Sequence, residues 1–142
     1  MDYQKFVAWF NQNDLCSIRM GICLQTMGEG FAEATLSLTD DCRNIMGGMH
    51  GGALATLTDI VSGCAVAYHG KMCVTLDASI RYLKPVRNGQ VHAIAREIHG
   101  GGRTAVVRVD VNDESGVLCC ACTTTMYLTD QPISQLKMEE NE

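Results

Sequence analysis

Between Gly51 and about Tyr68 the hydrophobic pattern changes period. Leu54, Leu57, Val61, Cys64, Ala65 and Tyr68 fall at spacings of three and four, which puts them on one face of a single long helix. Strand-like segments surround it. Ile22 to Thr26 and Phe31 to Leu38 flank Gly28-Glu29-Gly30, a hairpin signal. Within the second, Ala32, Ala34, Leu36 and Leu38 alternate with polar residues. After the helix come Cys73 to Leu83, Gln90 to Ile98, Thr104 to Asn112 and Val117 to Leu128, separated by Gly-, Pro- and Asn-bearing turns. Tyr3 to Phe10 reads as a short amphipathic helix ended by the polar Asn11-Gln12-Asn13-Asp14. One long helix among six strands predicts an α+β fold, an antiparallel sheet wrapped around the central α-helix.

With 142 residues the chain has the length of one domain, predicted over residues 1–129, with an acidic tail over 130–142. The net charge of −5 is concentrated in that tail, and the nearly neutral body argues against nucleic-acid binding. The longest unbroken apolar run, Val117 to Cys122, has six residues. A membrane span takes about 18 or more, so no membrane association is expected. No basic segment precedes a long apolar one at the N-terminus, and the expected location is the cytoplasm. The eight cysteines include no Cys-x-x-Cys pair and no His at zinc-finger spacing. They are expected to be reduced and structural, with neither metal nor cofactor.

The chemistry-bearing stretch is Asn44 to Asp59, where Gly47-Gly48 and His50-Gly51-Gly52 lead into the long helix. Glycines at a helix start let a ligand approach the backbone, and the first helical N–H groups have no internal partner. With the helix dipole they form a donor site for an oxygen gaining negative charge. Asp59 lies two turns further along an apolar helix with no cationic residue between Gly51 and His69, so its carboxylate must be paired, hydrogen-bonded or functional. Eight residues of helix separate Gly51 from Asp59 by about 12 Å. If both act on one substrate, two subunits must each supply half of the site, which predicts an obligate homo-oligomer.

Asn44, His50-Gly51-Gly52 and Asp59, on a helix that follows two strands, resemble the hotdog-fold acyl-CoA thioesterases, most closely the PaaI-like branch. Val74 to Pro85 is similar to that family's strand after the helix, and Gly101-Gly102-Arg103 before a Val-rich strand also fits. The resemblance covers Phe31 to Tyr127. It implies hydrolysis of an acyl-CoA thioester in a dimer or dimer of dimers. The Gly51 N–H would polarise the carbonyl with help from Asn44. Asp59 of the partner subunit would be nucleophile or general base, Thr75 would orient the water, and His50 would shape the helix start and the sulfur end.

Seven basic residues against two acidic ones between Lys71 and Arg108 suit a small anionic ligand or, equally, the wet sides of strands. Arg81, Lys84, Arg87 and Arg103, at strand ends and adjoining loops, are the candidates for the coenzyme A phosphates. Two other readings stand beside the thioesterase. A non-catalytic acyl-CoA-binding module would keep the groove without needing Asp59. An enoyl-CoA hydratase would need an Asp/His pair in a different loop motif, which the sequence lacks. No Gly-x-Ser-x-Gly elbow offers the α/β-hydrolase route.

Overall fold

The computed structural model describes residues 1–138. Helix α1 (Tyr3–Asn13) starts at Asp2, whose side chain accepts from the Lys5 N–H at 3.0 Å. It does not stop at Phe10: the polar residues continue the helix, and Asn11 exchanges two hydrogen bonds with the backbone of Leu24. A second helix, α2 (Leu15–Met20), follows, capped by Asp14 and ended by Gly21 at φ +84°. At six residues it is too short to show a period, so the sequence pattern conceals it.

Strands β1 (Ile22–Gly28) and β2 (Phe31–Ser37) form the hairpin, and the loop after it holds a short 3-10 turn, Asp40–Cys42. The long helix α3 (Gly51–Val66) comes next, then β3 (Lys71–Tyr82), β4 (Gln90–Gly100), β5 (Thr104–Asn112) and β6 (Leu118–Pro132). All six strands pair antiparallel in the order β1-β2-β4-β5-β6-β3. Strand β6 runs past Thr129, and Ile133 donates from its backbone to Gly70, so the start of the expected tail belongs to the sheet. Residues 139–142 of that tail lie outside the described residues.

The sheet curls around α3. Its concave face is lined by small and β-branched residues, Ala32, Ala34, Ala93, Ala95, Val107, Val109 and Val111, all with no exposed surface. These let the helix sit close, and Leu57, Val61, Ala65 and Val66 are fully buried against them. The hydroxyls on the buried helix faces are satisfied locally: Thr58 donates to the Ala55 carbonyl and Ser62 to that of Thr58. Gly51–His69 is long and apolar enough by composition to cross a membrane, with a mean hydropathy of 1.2 that the run-length reading missed because Gly, Ser and Thr interrupt it. Here that apolarity serves the core, with the helix enclosed by the sheet.

Curling leaves two edges. The β1 edge is covered by α1 through Asn11, whereas β3 leaves one side unpaired, with Val74 and Leu76 more than half exposed. An apolar, uncovered edge strand is a template for pairing with another chain.

Candidate active site

The loop before α3 is built around Asn44. Its side-chain carbonyl accepts from the Met46 N–H at 2.9 Å and the Gly48 N–H at 3.1 Å, and its backbone N–H donates to Gly48 at 2.7 Å. The amide Nδ2 has no acceptor among the described residues and stays free to donate. Gly47 turns the loop at φ +84°, and a Cβ on Gly48 would sit 3.0 Å from the Val86 carbonyl, a tight approach that would push on that backbone. The Arg43 guanidinium holds the Gly47 carbonyl at 2.6 Å.

His50 caps α3, its Nδ1 accepting from the Gly52 N–H at 2.9 Å. That bond puts the proton of the neutral ring on Nε2. The Ala53 and Leu54 amides donate to the His50 carbonyl. Among the first four amides of the helix, only that of Gly51 is left without an acceptor among the described residues. The Tyr82 ring, at the far end of β3, lies 3.5 Å from where a Gly51 Cβ would stand. Tyr82 was not singled out from the sequence, although the aromatic-Leu-Lys-Pro run that contains it was.

Two turns along α3, Asp59 Oδ1 accepts from the Thr75 hydroxyl at 2.5 Å. This places the predicted carboxylate and hydroxyl together. Among the described residues no cation pairs with Asp59, which is exposed in the single chain. Its charge is felt by Cys73: burial first, and the Asp59 carboxylate second, push that thiol up to about 11. Neutral at ordinary pH, Cys73 is no nucleophile. Asp59 and Thr75 stand on the rim of a cavity of about 640 Å³ between α1, α3 and β3.

A β-bulge decides which β3 side chains reach α3. The register with β6 shifts between Thr75, opposite Met126, and Asp77, opposite Thr125. Thr75 and Tyr82 are seven residues apart, so an unbroken strand would turn them to opposite faces. The bulge corrects the parity, and both face the helix.

The four candidate phosphate ligands separate. Lys84 and Arg87 lie in the connection from β3 to β4, which the Met49 N–H ties to the Asn44 loop through the Val86 carbonyl at 2.8 Å. Lys84 is held by Asp113 at 2.6 Å, which keeps that carboxyl below its usual range. Arg87 is exposed. Arg81 donates to the Ser79 hydroxyl at 3.0 Å. Arg103 is at the other end of β4, against the Tyr127 hydroxyl at 3.1 Å. The 11 residues of β4, roughly 33 Å from first to last, lie between those ends. One chain therefore does not bring all four candidates together. The structure sets two groups of candidates apart: Gly51 with Asn44, Tyr82 and the connection that carries Lys84 and Arg87, and Asp59 with Thr75.

All eight cysteines are free. Among the described residues no group of three or more His, Cys, Asp or Glu is placed to hold a metal ion.

The sequence profile of the thioesterase superfamily matches residues 46–120, from the end of the Asn44 loop to the start of β6. The chain is 32% identical over 110 residues to the acyl-coenzyme A thioesterase PaaI of Escherichia coli, covering 73% of this chain and 79% of that protein. The structure of E. coli PaaI superposes with a TM-score of 0.84 at 26% identity, over 91% of this chain and 94% of that one. A hypothetical thioesterase protein from Streptococcus pneumoniae solved with coenzyme A superposes with a TM-score of 0.78 at 32% identity, over 85% and 95% of the two chains. Sheet, helix and sequence agree: the chain belongs to the thioesterase superfamily, as a hotdog-fold member of its PaaI-like branch, and it is a hydrolase of thioesters.

Proposed function

We propose that the substrate is an acyl-CoA and that each site joins the Gly51 half of one subunit to the Asp59 half of its partner. The observation that carries this reading is the separation of a lone free amide and a Thr-bound carboxylate by two turns of one helix. Pairing the free edge of β3 antiparallel with its copy supports the arrangement. A pairing centred near Ala78 and Ser79 sets the Thr75 level of one strand against the Tyr82 level of the other. Gly51 would then meet the partner's Asp59, and Lys84 and Arg87 would approach the partner's Arg103.

In this site the Gly51 N–H and the free Nδ2 of Asn44 donate to the thioester oxygen as it gains charge. One such donor is worth about 10²–10³ in rate. Asp59 takes a proton from water, which attacks the carbonyl carbon. The tetrahedral intermediate collapses, the C–S bond breaks, and the proton goes to the departing coenzyme A sulfur. Attack by Asp59 itself, through an anhydride that water then opens, uses the same atoms. Thr75 fixes one carboxylate oxygen and leaves Oδ2 for the reaction. His50 acts as the helix cap that leaves the Gly51 amide free.

Thiol release from a panel of acyl-CoAs, followed with a thiol reagent, tests the reading. Asp59→Asn should lose about 10²–10⁴ in turnover while still binding acyl-CoA, and Asn44→Ala should lose less because the Gly51 donor remains. Wild-type turnover in Asp59→Asn would remove the carboxylate from the mechanism. Binding without release by the wild type would mark a non-catalytic module.

A further inference from the structure

Resting on that reading, we propose that the cavity beside Asp59 is the acyl pocket, that it takes a straight saturated chain of about eight to ten carbons, and that Gly63 and Trp9 set its depth and its outer wall. The cavity follows α3 from Asp59 to Ala67, a run of about 12 Å along the helix axis. An extended chain advances roughly 1.2 Å per bond, so about ten carbons span it. Beyond Ala67 the helical face ends and Lys71 borders the cavity, a polar limit to an apolar slot.

The walls are mostly apolar, with Asn13, Asp14 and Lys71 as polar members besides Asp59 and Thr75. Ile60 and Gly63 come from α3, Met126 from β6, and Trp9 and Phe10 from α1. The thiols of Cys64 and Cys73 also face the cavity, and burial holds both above the ordinary thiol range. Such a surface offers an alkyl chain apolar contact, at about fourfold in affinity per buried methylene.

Gly63 is the informative residue. Glycine inside a helix is unfavourable relative to alanine, and it is commonly kept where another group must come close. Here a Cβ would stand 3.7 Å from Cys73 Sγ and 3.8 Å from Met126 Cε, ordinary contact distances. Packing does not demand the glycine. Both of those neighbours line the cavity, so a longer side chain at position 63 would enter the slot one turn past Asp59. That point is roughly 6 Å in, or about five carbons.

The test uses S-alkyl-CoA thioethers, which cannot be hydrolysed, with dissociation constants measured from butyl to hexadecyl. Wild-type affinity should rise about fourfold per carbon and level off near eight to ten. In Gly63→Leu the plateau should move to about five carbons, with decyl weakened at least tenfold and butyl unchanged, which also shows that the variant folds. Trp9→Ala should move the plateau outward. A flat alkyl series with tighter binding of a phenylacetyl analogue, or an unchanged plateau in Gly63→Leu, would overturn the pocket assignment. Because the readout is binding, failure of thiol release in the wild type counts against the hydrolytic reading and not against the pocket.

Discussion

Thr75 and Cys73 are two residues apart on β3 and meet the same carboxylate in different ways. Thr75 donates to Asp59 at 2.5 Å, a bond to a charged group worth roughly 1.5–3 kcal/mol. Thr75→Val should therefore lower kcat about tenfold or more with little change in KM, and Thr75→Ser should restore it. Equal kcat in Val and Ser variants would show that the hydroxyl does not position the carboxylate. Cys73 is raised from 9.0 to about 11, chiefly by burial. Its neutral form is favoured by the fold, so the stability it contributes is complete below pH 9 and is lost as pH rises toward 11. Cys120, also raised to about 11, has the same sign. The melting temperature should fall between pH 9 and 11, less steeply in Cys73→Ala. Iodoacetamide near pH 7.5 should label the exposed Cys16 and Cys23 first, with activity retained. Early labelling of Cys73, read by mass spectrometry, would contradict its protonated state.

Strand β3 has one edge bonded to β6 and one edge free, and it carries the bulge that turns Thr75 toward α3. The free edge exposes Leu76 at 59% beside an apolar Val74 at 53%. In the pairing centred near Ala78 and Ser79, a positive charge placed at position 76 would face the partner's Arg81 and be repelled. Leu76→Lys should give a folded monomer, native by circular dichroism and half the mass by light scattering, with thioesterase activity lost. A fully active monomer would confine the site to one chain. Helix α1 makes a parallel point. Through Asn11 it satisfies the other sheet edge, and through Trp9 and Phe10 it walls the cavity, so a segment with no recognisable motif borders the reactive groups.

For the assembled molecule, the shared site predicts complementation. Gly51→Val would press a branched side chain toward the Tyr82 ring and cover the amide, and Asp59→Asn removes the base. Each variant alone should be inactive. After subunit exchange half the dimers are mixed and half of their sites are intact, so activity should return to roughly a quarter of wild type. Proven exchange without recovery would sink the shared site.

The fold class was legible in the sequence because period is a local property. The switch from alternation to spacings of three and four at Gly51 marks one helix among strands whatever surrounds it. Gly51 and Asp59 stood out for the same reason, since they lie on one helix whose rise can be counted, whereas Asn44 entered through the likeness of the stretch to the family. What the sequence could not show depends on neighbours distant along the chain. Which first-turn amide stays free follows from the hydrogen bonds of His50. That Thr75 and Tyr82 share a face follows from a bulge opposite β6, and the separation of Lys84 and Arg87 from Arg103 follows from the length of β4. Strand register and packing are decided through space, and only the folded sheet sets them.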